Sequence, residues 1–345
     1  MIFMPADLDL PEESLCPDEP NTEEYNQVDP CTLDCFPDHS YPVDLYRWRE
    51  SAGTLSPIYR CGAEVHTRLR GTLYALSEAG KLFFSRNQIR AYTECLSRNL
   101  DAALDDPNLT WNEKSHVLIE SLGQRQQAMF QQPMPQELDN LDRIVETLCL
   151  YLIEDSTRMR RVVHHVHCTP LAARQRLNAA LMALAIFLEC EGEPVPLERM
   201  HPVGLGFFLF DIGMSRVSRM LSDKKSMQLV PSEQRRVQEH PLAGFEIAGR
   251  LNLVNPEIVE PIIQHHERLN GTGYPNRLRD RQIGKLGRIA GVADSYVAMI
   301  TDRPHCPARP PLHAAAEILK QDKVYDQSVA RKLVRLLNAV PSVAS

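Results

Sequence analysis

The chain has 345 residues, 43% of them hydrophobic, with a formal net charge of −7. That length and apolar content can supply two cores. The acidic balance argues against a nucleic-acid polymer as partner, no apolar run reaches the roughly 18–20 residues that span a bilayer, and the N-terminus lacks the basic region of a secretory leader.

Nine scattered cysteines read as free thiols in a reducing compartment, so a cytoplasmic location is expected. Cys31 and Cys35 are closely spaced, but no second pair completes a zinc site. From Met1 to Tyr46 there is no Lys or Arg, against twelve Asp and Glu. Such a segment cannot bury enough apolar surface to offset its ordering entropy, so residues 1–40 are expected to be a disordered acidic tail. Residues 41–135 read as a small α+β regulatory or sensory module. Val43–Trp48 and Lys81–Phe84 look like strands. Between them Val65, Leu69, Leu73 and Leu76 recur at helical spacing, with Gly80 placed to end that helix. Ser85 can cap a helix striped by Ile89, Tyr92, Leu96 and Leu100, and Thr110-Trp-Asn-Glu113 is a capping-box pattern.

Pro133 and Pro135 mark a break. Leu138, Leu141, Val145, Leu148 and Leu152 then predict a connecting helix over 136–160. His164-His165-Val-His167 reads as a solvated linker. From 161 to 345 the chain reads as all-α. Thr169-Pro170 opens a helix with one face made of Leu177, Leu181, Leu184 and Leu188, closed by Pro194 and Pro196. Further helices are predicted near 197–213, 232–251, 256–266, 284–302, 311–321 and 326–338.

Nine of the twelve histidines lie after residue 160, which directs attention to metal chemistry. Asp211 and Asp294 are carboxylates inside otherwise apolar helices, costly to bury unless paired or bound to a cation. His240 precedes Pro241 at a helix junction. His265 and His266 are adjacent, just before the turn Asn270-Gly-Thr-Gly-Tyr-Pro275. Neighbours on a helix point about 100° apart, so both can face one ion only at the helix end, where a Gly-rich turn supplies the geometry. Each residue alone has a plain structural explanation, as a core histidine or a capping Asp. Their conjunction points to a metal site.

At these residues the chain resembles the HD-GYP family of bacterial signalling phosphodiesterases. His-His-Glu-Arg-Leu-Asn-Gly-Thr-Gly-Tyr-Pro (265–275) follows the family signature, and Glu239-His240-Pro241 and Val292-Ala-Asp-Ser-Tyr296 are similar to it as well. The resemblance covers about 165–340, and more loosely 42–142 looks like a module that precedes some such domains. It implies an HD-type helical bundle, hydrolysis of cyclic di-GMP, a substrate contact at Gly271, Gly273, Tyr274, Pro275 and Arg303, and a two-ion centre. It also exposes departures. The family's first ligand His falls on Gln175, the His of its His-Asp pair on Phe210, its phosphate-contacting Lys on Met214, and a late Arg on Cys306. By the resemblance, one ion's set retains Asp211 and Asp294 alone, while the other's is complete in Asp211, His240, His265 and His266.

The expectation is therefore one transition-metal ion (iron, manganese or zinc) on those four residues, with Asp211 and Asp294 as weakened catalytic positions. The favoured reading is a degenerate HD-GYP protein acting through a protein partner and able to bind cyclic di-GMP. The alternative is an active cyclic di-GMP phosphodiesterase using one metal ion. A different phosphoester substrate or a purely structural helical module makes up the remainder.

Overall fold

The computed structural model describes residues 24–339 apart from 34–35, 37–39, 50–51, 97–99, 101–103, 105, 156, 169–173, 193, 218–229 and 303–306. The expected tail over 1–23, the Thr169-Pro170 cap and Arg303 lie outside the described residues. The chain divides into two compact units, 1–110 and 111–345.

The first unit holds strands β1 (Tyr25–Gln27), β2 (Leu45–Arg49), β3 (Thr54–Tyr59) and β4 (Leu82–Ser85), with helices α1 (Pro30–Leu33), α2 (Thr67–Glu78) and α3 (Ile89–Leu96). The sheet order is β1-β4-β2-β3, with all pairs antiparallel. Alternation along β4 turns Leu82 and Phe84 inward. They meet Leu73 of α2 and Tyr92 of α3, all fully buried, with the Phe84 and Tyr92 rings stacked at 4.1 Å. Gly80 ends α2 at φ +68°, as its position suggested.

Three expectations are corrected here. The described part of the acidic segment from residue 24 is folded, because β1 pairs with β4 and Val28, Leu33 and Phe36 are buried. A segment poor in apolar residues contributes its few to a neighbour's core. The edge strand β3 was missed because Pro57 interrupts its pattern, and an edge is where a sheet tolerates proline. Ser85 makes no side-chain cap, since a short 3₁₀ turn at Arg86–Gln88 precedes α3.

The second unit is helical: α4 (Trp111–Gln131), α5 (Pro135–Glu154), α6 (Arg158–Cys168), α7 (Gln175–Glu191), α8 (Leu197–Leu209), α9 (Pro231–Gln238), α10 (His240–Arg250), α11 (Pro256–Gln264), α12 (Lys285–Ile300), α13 (Pro311–Lys320) and α14 (Gln327–Asn338). An isolated β-bridge joins Asn270 and Arg279. Every residue from Leu177 to Phe187 is buried, so α7 is the central helix, apolar on all sides. None of the described helices is long and apolar enough to cross a membrane.

The unit boundary falls at 110/111 rather than near 135. The helix α4 packs Val117, Leu118 and Leu122 into the bundle, and Pro133 and Pro135 mark only a turn between α4 and α5. The helix expected over 136–160 is a packed member of this bundle, ending at Glu154. The segment with three histidines is likewise no solvated linker. It lies in α6, which buries Val162, Val163 and Val166 and joins His167 Nε2 to the Tyr296 hydroxyl at 2.7 Å.

In α6, His165 faces His116 of α4, with ring centres 5.7 Å apart. Burial, then the nearby His116 and Arg174, holds the His165 imidazole down to about 4, from an ordinary 6.5. The unfolded chain therefore binds more protons between those values. Its contribution to stability is complete above pH 6.5 and lost as the pH falls toward 4. Urea unfolding from pH 7 to pH 4 should show a smaller loss of stability for His165→Gln than for the wild type.

Candidate metal centre

Three helix ends and one turn converge here. His240 is the first residue of α10, His265 and His266 follow the last residue of α11, and Asp211 follows α8 at the start of the 3₁₀ turn Ile212–Arg216. Gly213 allows that turn to lie against α10, because a Cβ there would strike the His240 carbonyl. Glu260 and Gln264 of α11 accept from Leu286 N at 2.6 Å and from Gly284 N at 2.7 Å, anchoring the start of α12. That helix carries Asp294, whose charge acts on both His240 and Tyr274.

The ring nitrogens of the histidines are set by their backbone partners. Nδ1 of His240 lies 2.6 Å from the Val237 carbonyl. Nδ1 of His265 lies 3.0 Å from the Pro261 carbonyl and 3.1 Å from that of Ile262. A carbonyl only accepts, so each Nδ1 must carry the proton and donate it. Each Nε2 is then a bare lone pair. The two Nε2 atoms are 3.0 Å apart, and His266 contributes a third ligand atom, all within 4.8 Å of one another. Asp211 Oδ1 stands 3.3 Å from His240 Nε2 and 4.0 Å from His265 Nε2.

Two bare lone pairs in van der Waals contact repel unless a proton or a cation lies between them. Burial holds all three imidazoles below their ordinary range; His240 further depresses His265, and both of them depress His266. Protonation is thus the disfavoured remedy, and the donor set fits a metal ion. Ring nitrogens fixed by Nδ1–H to backbone carbonyls are the usual second shell of histidine ligands. Burial pushes the Asp211 carboxyl up to about 6, against the pull of Arg176.

The turn after His266 is held by Glu267, whose role depends on partners nine and eleven residues further on. Glu267 is 5% exposed, and its carboxylate accepts from Asn276 N at 2.7 Å and Leu278 N at 2.9 Å. Gly273 lies so close to the chain at 266–268 that a Cβ would meet Glu267 Cα and His266 O at 2.5 Å. Tyr274 is thereby laid on His266, ring centres 4.6 Å apart and nearly parallel. Arg268 donates to the carbonyls of His265 and Glu267 and to Ser295 Oγ. Gly271 has φ +76° and Tyr274-Pro275 is cis.

Gln175, Phe210 and Met214, the positions that the resemblance sets apart, are equally definite. Gln175 begins α7. Phe210 is 2% exposed, its ring 4.8 Å from that of His265. Met214 lies in the 3₁₀ turn, its N–H bonded to the Asp211 carbonyl. Arg176, beside Gln175, places Nε 3.3 Å from Asp211 Oδ2. Nothing in the sequence pattern marks Arg176, because an arginine in the first turn of a helix ordinarily faces water.

Residues 175–329 match the family model described as HD domain. Residues 175–329 of the helical unit form an HD domain. It is 32% identical over 163 residues to "Cyclic di-GMP phosphodiesterase PA4108" of Pseudomonas aeruginosa, 47% of this chain and 38% of that one. It is 33% identical over 137 residues to "Cyclic di-GMP phosphodiesterase" of Thermotoga maritima, 39% of this chain and 37% of that one. A "3'3'-cGAMP-specific phosphodiesterase 3" of Vibrio cholerae is 31% identical over 135 residues, 39% and 29% of the two chains. The chain spans less than two-fifths of the length of these curated relatives. Among solved structures, Bd1817, a HDG"Y"P protein from Bdellovibrio bacteriovorus, shares the fold at TM-score 0.61 and 16% identity, over 91% of this chain and 99% of that chain.

Removing the Glu267 carboxylate would take the charged acceptor from the part-buried N–H bonds of Asn276 and Leu278, at a cost of about 1.5–3 kcal/mol each. Glu267→Ala should lower the melting temperature by several degrees and weaken metal binding, whereas Glu267→Gln, which keeps one acceptor oxygen, should show a smaller effect. Calorimetric scans of the two variants with and without metal provide the comparison.

Proposed function

We propose that the helical unit is a catalytically impaired HD-GYP domain of bacterial cyclic-dinucleotide signalling. In this reading it holds one transition-metal ion on Asp211, His240, His265 and His266. The observation that carries it is Phe210. This buried ring stands beside Asp211 and against His265, where a second ion's imidazole donor would have to be. Phenylalanine has no ligand atom. Gln175 is a poor donor for a transition metal.

A bound ion would supply Lewis acidity to water or to a phosphoryl oxygen. The chain's own residues then bind and orient. Asp211 and the three imidazoles form one face, Tyr274 covers His266, and a groove of about 500 Å³ lined by Gly213, Arg216, Arg236, Glu239 and His240 opens beside them. The cations expected to meet a phosphate are fewer than the chemistry needs. Met214 has none to offer, and Arg216 is paired to Glu246 at 2.6 Å. Each lost electrostatic contact of this kind is worth roughly 3–4 kcal/mol, or about 10²–10³ in rate. Several missing together leave negligible turnover and a role as a metal-stabilised signalling partner for another protein, with the cyclic dinucleotide as its ligand class.

The relatives' names favour cyclic di-GMP over 3'3'-cGAMP as that ligand, since two of the three described above carry it. A second reading, a one-ion cyclic di-GMP phosphodiesterase, is favoured by the intact histidine cluster and turn. Purified chain loaded with iron or manganese, assayed with both dinucleotides, separates the two. Turnover no greater than that of His265→Ala, with about one ion bound by the wild type and none by the variant, is expected. Metal-dependent release of linear pGpG or GMP by the wild type alone would favour the one-ion enzyme.

A further inference from the structure

The two oxygens of Asp211 face opposite neighbours. Oδ1 looks toward His240 and His265, and Oδ2 meets Nε of Arg176 at 3.3 Å. The guanidinium carbon of Arg176 also lies 5.2 Å from the ring centre of Phe130 in α4, a nearly buried ring. Arg176 is thus held from one side by an aromatic face and from another by a carboxylate, though its side chain is 47% exposed. A guanidinium remains charged at any pH the protein meets, and it is weakly hydrated enough to sit on a ring. Any second cation sharing Asp211 would have to take Oδ2, where Arg176 already stands.

We propose that Arg176 is a resident counter-cation that closes the outer oxygen of Asp211, fixing the carboxylate as a one-oxygen donor toward the histidine cluster and keeping a second metal ion off it. This rests on the metal reading above and extends it. The second position is lost by missing donors and is also filled by a side-chain charge. Arg176 acts through Asp211, so it is a positioning residue. An ordinary half-exposed ion pair would leave metal stoichiometry untouched.

The test uses the full chain, stripped with chelator and titrated with Mn²⁺, with bound ion measured by equilibrium dialysis and the bound Mn²⁺ signal by electron paramagnetic resonance. Wild type and Arg176→Lys should saturate at one ion. Arg176→Gln should go from one to two, the second weaker, with the resonance showing coupling between neighbouring ions. Arg176→Met, which keeps an apolar stem on Phe130, should behave as Arg176→Gln does and serves if that variant folds poorly. One ion in both neutral variants, a second ion without coupling, or two ions in the wild type would overturn the assignment to Arg176. No ion bound by the wild type would instead overturn the metal reading on which it rests.

Discussion

The contact on which the rest of this domain turns is between two ring nitrogens. His240 and His265 bring their Nε2 atoms to 3.0 Å with both Nδ1 positions committed to backbone carbonyls. Neither nitrogen can donate to the other without a proton that burial disfavours. Side chains with this repulsion should rotate apart, and they do not, because each is fixed at a helix end by its own carbonyl bond. The scaffold holds an electrostatic conflict that a cation would resolve. Such strain is typical of sites organised for binding and atypical of a core selected for stability alone.

The surrounding packing serves that contact. Gly213 lets the Asp211 turn close on α10, Glu260 and Gln264 tie α11 to the start of α12, and Glu267 with Arg268 folds the following turn back over His266. Four segments far apart in sequence thereby meet, each through a backbone approach or a buried carboxylate. The same features explain why impairment would leave the fold intact. Phe210 contributes buried apolar area, which favours folding, and Arg176 places a positive charge on the exposed side of Asp211.

Much of this was legible before any coordinates. The His265-His266 doublet before a Gly-rich turn and the His-Pro helix start pointed to the histidine cluster, and helical periodicity to the bundle. What escaped has identifiable physical causes. The sheet edge β3 contains a proline, β1 lies in an acidic stretch whose few apolar residues do not announce a core, and α6 carries so many basic residues that its buried valines were overlooked. Glu267 lay inside the signature but had no visible partner until Asn276 and Leu278 were seen to turn back on it. Arg176 could not be found from sequence, because its importance depends on Asp211, 35 positions away, arriving from another helix.

The central claim is that three imidazoles and one carboxylate hold a single ion. X-ray absorption on the metal-loaded chain reads it most directly. The account predicts scattering from three histidine rings and an oxygen donor, with no metal–metal shell. A metal neighbour at roughly 3.5–4 Å, the spacing of two-ion hydrolytic centres, would contradict it.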